Sequence, residues 1–474
     1  MLWRAPARRF PVLAIRDFRL LIADRLLAPA SAGLSMVGAS FAVLNVTGST
    51  ADLSYVLAAQ IAPMLVFSLV GGVAADKFRP QRVIIAANLA MVAGEGTFGL
   101  LVLTGRPPLW AMIALEALTG IGMSMFYPAS QALLPQLVPD ALLQEASSVS
   151  RLAMNCGMMT GAAAGGLLVA AAGPGWALTL CAIGMTGTVP LLLAIKGTRA
   201  PAHDSSGPGM LTALRDGWTE FRSHTWLWVI VLQFCVVLMA WCAAFQVLGP
   251  VVAKAHLGGP AAWGAITAAD SFGLIAGGVV SLRFTPRRPM LFVVLIGGAI
   301  AISPLSLAFV LPLPVVCLAS FCLGVLIEMM MVVWTVTMAR AIAPDKLARV
   351  SSYDALGSMM AMPVGALIAG PVAAAIGVRA AQFGAAAVIV VVSALCLIPR
   401  DIRTIRSDSL GQARPAEPLL PVVEGQRAAA EHRADGERGP RLDYRWDRQD
   451  LPDQELLVAG QVWHDGLDKE VVGT

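Results

Sequence analysis

Of 474 residues, 57% are hydrophobic and 14% charged, and the mean hydropathy is +0.72, which is far too apolar for a soluble domain. The net charge of +4 is unevenly shared: residues 1–399 hold 23 Lys and Arg against 15 Asp and Glu, whereas residues 400–474 hold 11 against 15. A basic, apolar body with an acidic tail describes a polytopic membrane protein, and because its positive charge collects in loops it gives no sign of a nucleic-acid partner.

The basic N-terminus, with Arg4, Arg8, Arg9, Arg16 and Arg19, runs into the first apolar stretch without a cleavage-site pattern, so that span is expected to direct insertion itself. Crossing a ~30 Å hydrocarbon core takes roughly 20 mostly apolar residues. On that rule twelve helices are predicted, near 19–46, 52–75, 83–104, 109–128, 146–172, 175–196, 226–252, 261–282, 289–311, 313–338, 349–375 and 378–399. The breaks at 46–52, 105–108, 173–174 and 311–314 are too short for anything but turns. Between the second and third spans runs GGVAADKFRPQR, Gly71 to Arg82; a near-copy, GGVVSLRFTPRR, Gly277 to Arg288, returns 206 positions later between the eighth and ninth. The repeat predicts two related six-span halves, residues 1–196 and 226–400, and a duplicated membrane bundle suggests a transporter. Residues 197–225 begin as a Pro/Gly/Ser linker and end amphipathically as MLTALRDGWTEFRSH, which predicts a short helix at the cytoplasmic interface. Residues 401–474 change composition abruptly and are expected to form a largely disordered acidic tail, in which LDYRWDRQDL and ELLVAGQVW are candidate segments for folding on a cytoplasmic partner.

Orientation follows from the Lys and Arg residues. The N-terminus, Lys77–Arg82, Lys196 to Arg222, Arg283–Arg288, Arg340–Arg349 and Arg400–Arg406 fall on one side, and the opposite loops offer only Arg106, Lys254 and Arg379. Both termini are therefore expected in the cytoplasm of a cell embedding the chain in its inner, cytoplasmic membrane.

The repeated loop resembles a signature of the major facilitator superfamily, which lies between the second and third helices and reads G-x-x-x-D-R/K-x-G-R-R/K. Gly72, Asp76, Lys77 and Arg82 map onto it; the glycine before the basic pair is replaced around Arg79–Pro80, and the second copy has Leu282 in place of the acid. The stretch FYPASQALLPQLVPDALLQEASSVSRL, Phe126 to Leu152, is similar to the branch that contains macrolide-efflux proteins and enterobactin-type exporters. The resemblance covers about residues 16–400. It implies an all-α membrane protein of twelve transmembrane helices in two pseudo-symmetric six-helix halves, with the first, fourth, seventh and tenth helices lining a central cavity.

Several residues then become candidates for function. Asp76, at the end of the second span beside Lys77, Arg79 and Arg82, is expected to accept hydrogen bonds from a helix N-terminus near Ser351–Asp354 and to lock the cytoplasmic side, Gly72 and Arg82 completing this gate. The plainer reading is a solvated loop charge. Gly157, Gly161 and Gly165, spaced by four, put a smooth ridge on the fifth helix for close packing. This region resembles the superfamily's antiporter signature, in which a proline stands where this chain has Ala162. Glu95, Glu116, Asp270 and Glu328 lie deep inside spans 3, 4, 8 and 10, where an ionisable group is costly unless paired, hydrated or protonated. Few cations lie at matching depth, which favours protonation over a structural ion pair. The family's cavity-lining helices favour Glu116 and Glu328 as proton-coupling or substrate groups over Glu95 and Asp270. Asp24 and Arg25 are expected to neutralise each other or to snorkel. Trp241 and Phe245 are candidates for a greasy substrate surface, or else for packing.

The seven cysteines fall inside apolar runs without metal-like clustering and read as free thiols, and no cofactor or metal is implied. With no P-loop G-x-x-x-x-G-K-[ST] and no enzyme signature, the expected activity is secondary active transport by alternating access: proton-coupled export of an amphipathic small molecule such as a drug, macrolide or siderophore. The alternatives are uptake of a nutrient or metabolite, and a transport-inactive sensor or scaffold acting through its tail.

Overall fold

A computed structural model of the chain describes residues 11–68, 78–105, 107–196 and 218–405. Among these residues the regular structure is helical throughout. The first six long helices are α1 (Arg16–Val46), α2 (Thr50–Val66), α3 (Pro80–Thr104), α4 (Leu109–Leu137), α5 (Leu143–Ala172) and α6 (Pro174–Leu193). The last six are α7 (Thr225–Leu257), α8 (Pro260–Ser281), α9 (Pro289–Ala308), α10 (Leu313–Ala341), α11 (Pro344–Met359, continued by Met362–Ile376) and α12 (Val378–Leu395). Eleven are long and apolar enough to cross a bilayer; α2 is described for seventeen apolar residues before the described chain breaks at 69. The acidic tail, most of the 197–225 linker and three of the four gate residues, Gly72, Asp76 and Lys77, lie outside the described residues.

Helix ends follow local chemistry. The α1–α2 turn passes through Gly48 at φ +69°, and the Ser49 hydroxyl then accepts from the Asp52 N–H as the N-cap of α2. Pro80, Pro174, Pro260 and Pro289 open their helices, where a missing N–H costs nothing. Gly173 and Gly377, both at positive φ, make the one-residue turns α5–α6 and α11–α12, so the two halves turn by the same device. The main departure from the predicted spans is α4, which runs nine residues past the expected end at 128. Its extension buries Ala129, Leu133, Leu134 and Leu137 at helical spacing, and a hydropathy rule for crossing the bilayer misses such an amphipathic continuation.

The packing is pseudo-symmetric. In the first half α1 packs on α5 and α6, α3 on α4 and α6, and α2 on α4; in the second α7 packs on α11 and α12, α9 on α10 and α12, and α8 on α10. Every pair has its counterpart six helices on. The halves meet where α5 packs on α8 and α2 on α11. Small residues permit these approaches: Gly157 and Gly161 lie against the Leu26 and Ala30 carbonyls of α1, Gly165 against Leu34, Gly166 against Gly264 of α8, and Gly370 of α11 against Ala51 and Ser54 of α2.

The two ends of the bundle differ. At the end remote from the basic loops, one apolar cluster joins Val43, Leu53 and Leu57 to Leu248, Met362 and Ala366, and another joins Phe41 and Val169 to Phe245 and Trp263, so both halves share each core. At the basic-loop end the clusters stay separate. One, around Phe18, Ile84 and Leu133, belongs to the first half alone; the other, around Ile230, Val294 and Met338, belongs to the second. The helical turn at 218–223 docks on the second, with Trp218, Phe221 and Tyr353 in mutual ring contact and Lys346 bonded to Glu220 at 2.9 Å.

Candidate functional site

A cavity of about 240 Å³ lies beside the sealed end, walled mainly by the first six helices. Each helix shows it one face: Ser35 and Met36 from α1, Met91 and Glu95 from α3, Thr119 and Met123 from α4, Cys181 and Met185 from α6. Gln60 of α2 and Met158 of α5 complete this wall, and the second half contributes Gln246 of α7 and Trp263 of α8. Five thioethers give an apolar, deformable lining, and no Lys or Arg among the described residues lines the cavity.

One acid, Glu95, lines it; Glu116, expected there, lies outside the wall and is joined to it through Gln60. Glu95, 3% exposed, accepts from the Ser35 hydroxyl at 2.7 Å on Oε1, and its Oε2 has no partner among the described residues. Glu116, 1% exposed, stands one turn before Thr119; Gln60 donates to its Oε2 at 2.7 Å, and its Oε1 likewise has no partner. Gly94 lies against Leu115 and Thr119, which brings α3 and α4 close enough for the two carboxyl groups to sense each other's charge. Two half-satisfied carboxyl groups buried on adjacent helices make full ionisation of both costly.

The other acids are placed differently. Glu328 does not line the cavity, and the expectation of an unpaired acid is corrected: Arg151 reaches from α5 to donate to Glu328 Oε1 at 2.9 Å. The sequence reading passed over this cation because Arg151 stands two turns into α5, beyond the basic loops, yet its long side chain spans to α10. Asp270, half-buried on α8, is also outside the cavity, and its carboxyl has no hydrogen-bond partner among the described residues. Asp24 and Arg25 do not snorkel; they attract each other by charge but make no direct ion pair. Both are buried; Arg25 donates to the Ser130 carbonyl at 2.7 Å and meets Met154 Sδ at 3.3 Å, and neither Asp24 oxygen has a hydrogen-bond partner among the described residues. Trp241 and Phe245 do not reach the cavity wall. They stack at 5.5 Å and support Trp263, whose ring centroid is 4.8 Å from that of Phe245. The described gate residue, Arg82, is exposed in the first turn of α3. Asp354, near which Asp76 was expected to dock, accepts from Trp334 Nε1 at 2.9 Å.

Sequence reasoning missed Ser35, Gln60, Gln246 and Trp263. The first two carry no signal beyond a polar residue in an apolar run. Gln246 is turned by a π-helical stretch, Cys242–Val247, that interrupts α7 and shifts its register.

A family model described as transmembrane secretion effector matches residues 8–430. The chain is 25% identical over 374 residues to the multidrug efflux pump Tap of Mycobacterium tuberculosis, covering 76% of this chain and 88% of that protein. It is 29% identical over 309 residues to the enterobactin exporter EntS of Escherichia coli, covering 64% and 73%. Among solved structures, a bacterial homolog of the human lysosomal transporter Spinster in an inward-facing, unoccupied conformation aligns at a TM-score of 0.63 and 14% identity, covering 81% of this chain and 96% of that one. A POT family transporter in complex with 5-aminolevulinic acid aligns at 0.65 and 12%, with the same coverage. At these identities the structures establish the fold and no more.

Proposed function

We propose, starting from the fact that the chain belongs to the transmembrane secretion effector family of major facilitators, that this membrane transporter exports amphipathic small molecules in exchange for protons, with Glu95 and Glu116 as the coupling pair. The observation that carries the reading is the pair itself: two buried carboxyl groups, each satisfied on one oxygen, Glu95 in the wall of a methionine-rich cavity and Glu116 behind its Gln60, with no Lys or Arg lining that cavity among the described residues. Such a site has room for a proton or for the basic nitrogen of a substrate, and it holds both together poorly, which is the requirement for exchange. The names of the relatives, a multidrug efflux pump and an enterobactin exporter, support export. Basic loops on the cytoplasmic side make the described conformation an inward-facing one, closed outside and separated inside.

The pair is also wired to the moving parts. Ser35 belongs to α1, which packs on α7 and α8 across the halves, and Gln60 to α2, which packs on α11. A charged carboxylate strengthens those two hydrogen bonds and a protonated one relaxes them, so proton release bears directly on helices that rearrange in alternating access. In vesicles containing the purified protein, an imposed pH gradient is expected to drive substrate movement. Glu95→Gln and Glu116→Gln, which mimic the protonated form, are expected to abolish that drive, Glu95→Gln also weakening the binding of a cationic substrate, while passive exchange persists. Full gradient-driven transport by both variants, or none by the wild type, would sink the proposal.

A further inference from the structure

Trp263 heads the largest fully buried side chains and is 0% exposed, yet its Nε1–H has no acceptor among the described residues. Buried tryptophan donors normally find a partner, and this molecule supplies its own comparison, for the buried Trp334 donates to Asp354 at 2.9 Å. Nor is the Trp263 indole free to turn towards an acceptor elsewhere. Gly249 lies so close to its six-membered ring that a Cβ there would collide with Cη2 and Cζ3, Phe245 packs on it at 4.8 Å, and Trp241 stacks on Phe245. A donor that is buried, clamped and unpaired carries a desolvation cost that nothing among the described residues offsets. It lines the cavity that holds Glu95.

We infer that Trp263 is a specificity-determining donor that binds a carbonyl, ester or ether oxygen of the exported molecule. This rests on the reading of the cavity as the substrate site and narrows its substrate class to amphipaths carrying both a cationic nitrogen, met by Glu95 of the first half, and a hydrogen-bond acceptor, met by Trp263 of the second. A site built around a buried donor discriminates strongly against analogues lacking the acceptor, because binding them leaves the donor unpaired. A substrate held at both ends also touches both halves of the bundle.

The test uses two cations of equal charge and chain length, hexanoylcholine with an ester and nonyltrimethylammonium without one, bound to the full-length protein in lipid nanodiscs. Trp263→Phe keeps an aromatic ring and removes the donor. It is expected to lower the affinity for hexanoylcholine relative to nonyltrimethylammonium about fivefold to tenfold, the worth of one hydrogen bond. A ratio unchanged within about twofold, on the same scale, overturns the inference. Should the variant fail to fold, isotope-edited infrared spectroscopy of carbonyl-labelled hexanoylcholine on the wild type decides: a band lowered from its position in apolar solvent supports the contact, and an unshifted one overturns it. The underlying reading fails separately, if neither cation binds the wild type or if Glu95→Gln weakens neither.

Discussion

Gly161 shows how much a single residue can carry in this bundle. A Cβ at that position would collide with the Ala30 carbonyl of α1, whereas one at Gly165, four residues on, would meet Leu34 Cα at 3.1 Å, tight but open to small adjustment. Overpacking a site with no room to give costs about 1–3 kcal/mol. Gly161→Ala is therefore expected to lower the thermal unfolding temperature clearly more than Gly165→Ala, and equal effects in detergent-solubilised protein would contradict the close approach. The glycine ridge was legible in the sequence because a spacing of four is a geometric statement about one helix. The acids were only half legible. Depth along the chain picked out Glu95 and Glu116, but the choice of Glu328 over Glu95 relied on which helices line the family's cavity, and rotation about the helix axis, which decides what a side chain faces, is absent from any hydropathy pattern. Gln60, Ser35 and Trp263 were illegible for the same reason.

At the scale of elements, two contacts hold the basic-loop end in its described arrangement, and each has its own signature. The Arg151–Glu328 pair joins α5 to α10 across the halves, passing α8 where Gly277 and Gly278 leave room beside Glu328. Arg151 is 60% exposed along its side chain and Glu328 only 9%, so the partners are unequal. Removing the exposed arginine strands a largely buried acid, while neutralising the acid leaves a cation that water can solvate. Arg151→Ala is expected to destabilise the protein by about 1–3 kcal/mol, Glu328→Gln by less, and the double variant to return close to Glu328→Gln alone; additive losses in thermal unfolding would show that the pair does not act as a unit. The helical turn at 218–223 is held by a different mixture, its aromatic cluster and Glu220. The Lys346 hydrogen bond, followed by the Lys346 and His224 charges, keeps the Glu220 carboxyl below its ordinary value of 4.5. A group depressed on docking contributes above its free value and loses that contribution as pH falls through the docked one. Protease cleavage near 218–223 is thus expected to speed up below about pH 4.5 and in high salt, and Glu220→Gln to remove the pH response; cleavage indifferent to pH in the wild type would leave the aromatic contacts as the whole attachment. The amphipathic end of the linker, MLTALRDGWTEFRSH, led to the expectation of a short interfacial helix, of which only 218–223 falls among the described helical residues; the ion pair to Lys346 joins positions 126 apart, which no local pattern encodes.

For the whole molecule, the twelve-helix count and the duplication were readable because both are one-dimensional: run length sets the crossings, and GGVAADKFRPQR with GGVVSLRFTPRR sets the repeat. The conformation was not readable, since a sequence that alternates between two states encodes both. A further contact that biases the described state lies at the end remote from the basic loops. There Lys254, near the end of α7, donates to the Leu44 carbonyl and to Asn45 Oδ1 of α1, each at 2.8 Å, closing the rim above the shared apolar clusters. An ammonium group bonded to both a carbonyl and an amide oxygen makes a charge-assisted clasp between the halves. Opening that end must break it, so its free energy belongs to one state alone and sets part of the equilibrium between them. Replacing Lys254 with Met keeps the stem and removes the donors, and a clasp worth about 1.4 kcal/mol would shift the two populations tenfold. Spin labels at Tyr55 and Ala255 across the sealed rim, and at Ser148 and Ala339 across the basic-loop end, read both ends in the same preparation. In Lys254→Met the first distance is expected to lengthen in a growing fraction of molecules as the second shortens in the same fraction. Lengthening at the rim without shortening at the other end would mean that the clasp frays locally and that the two ends are not coupled through the bundle.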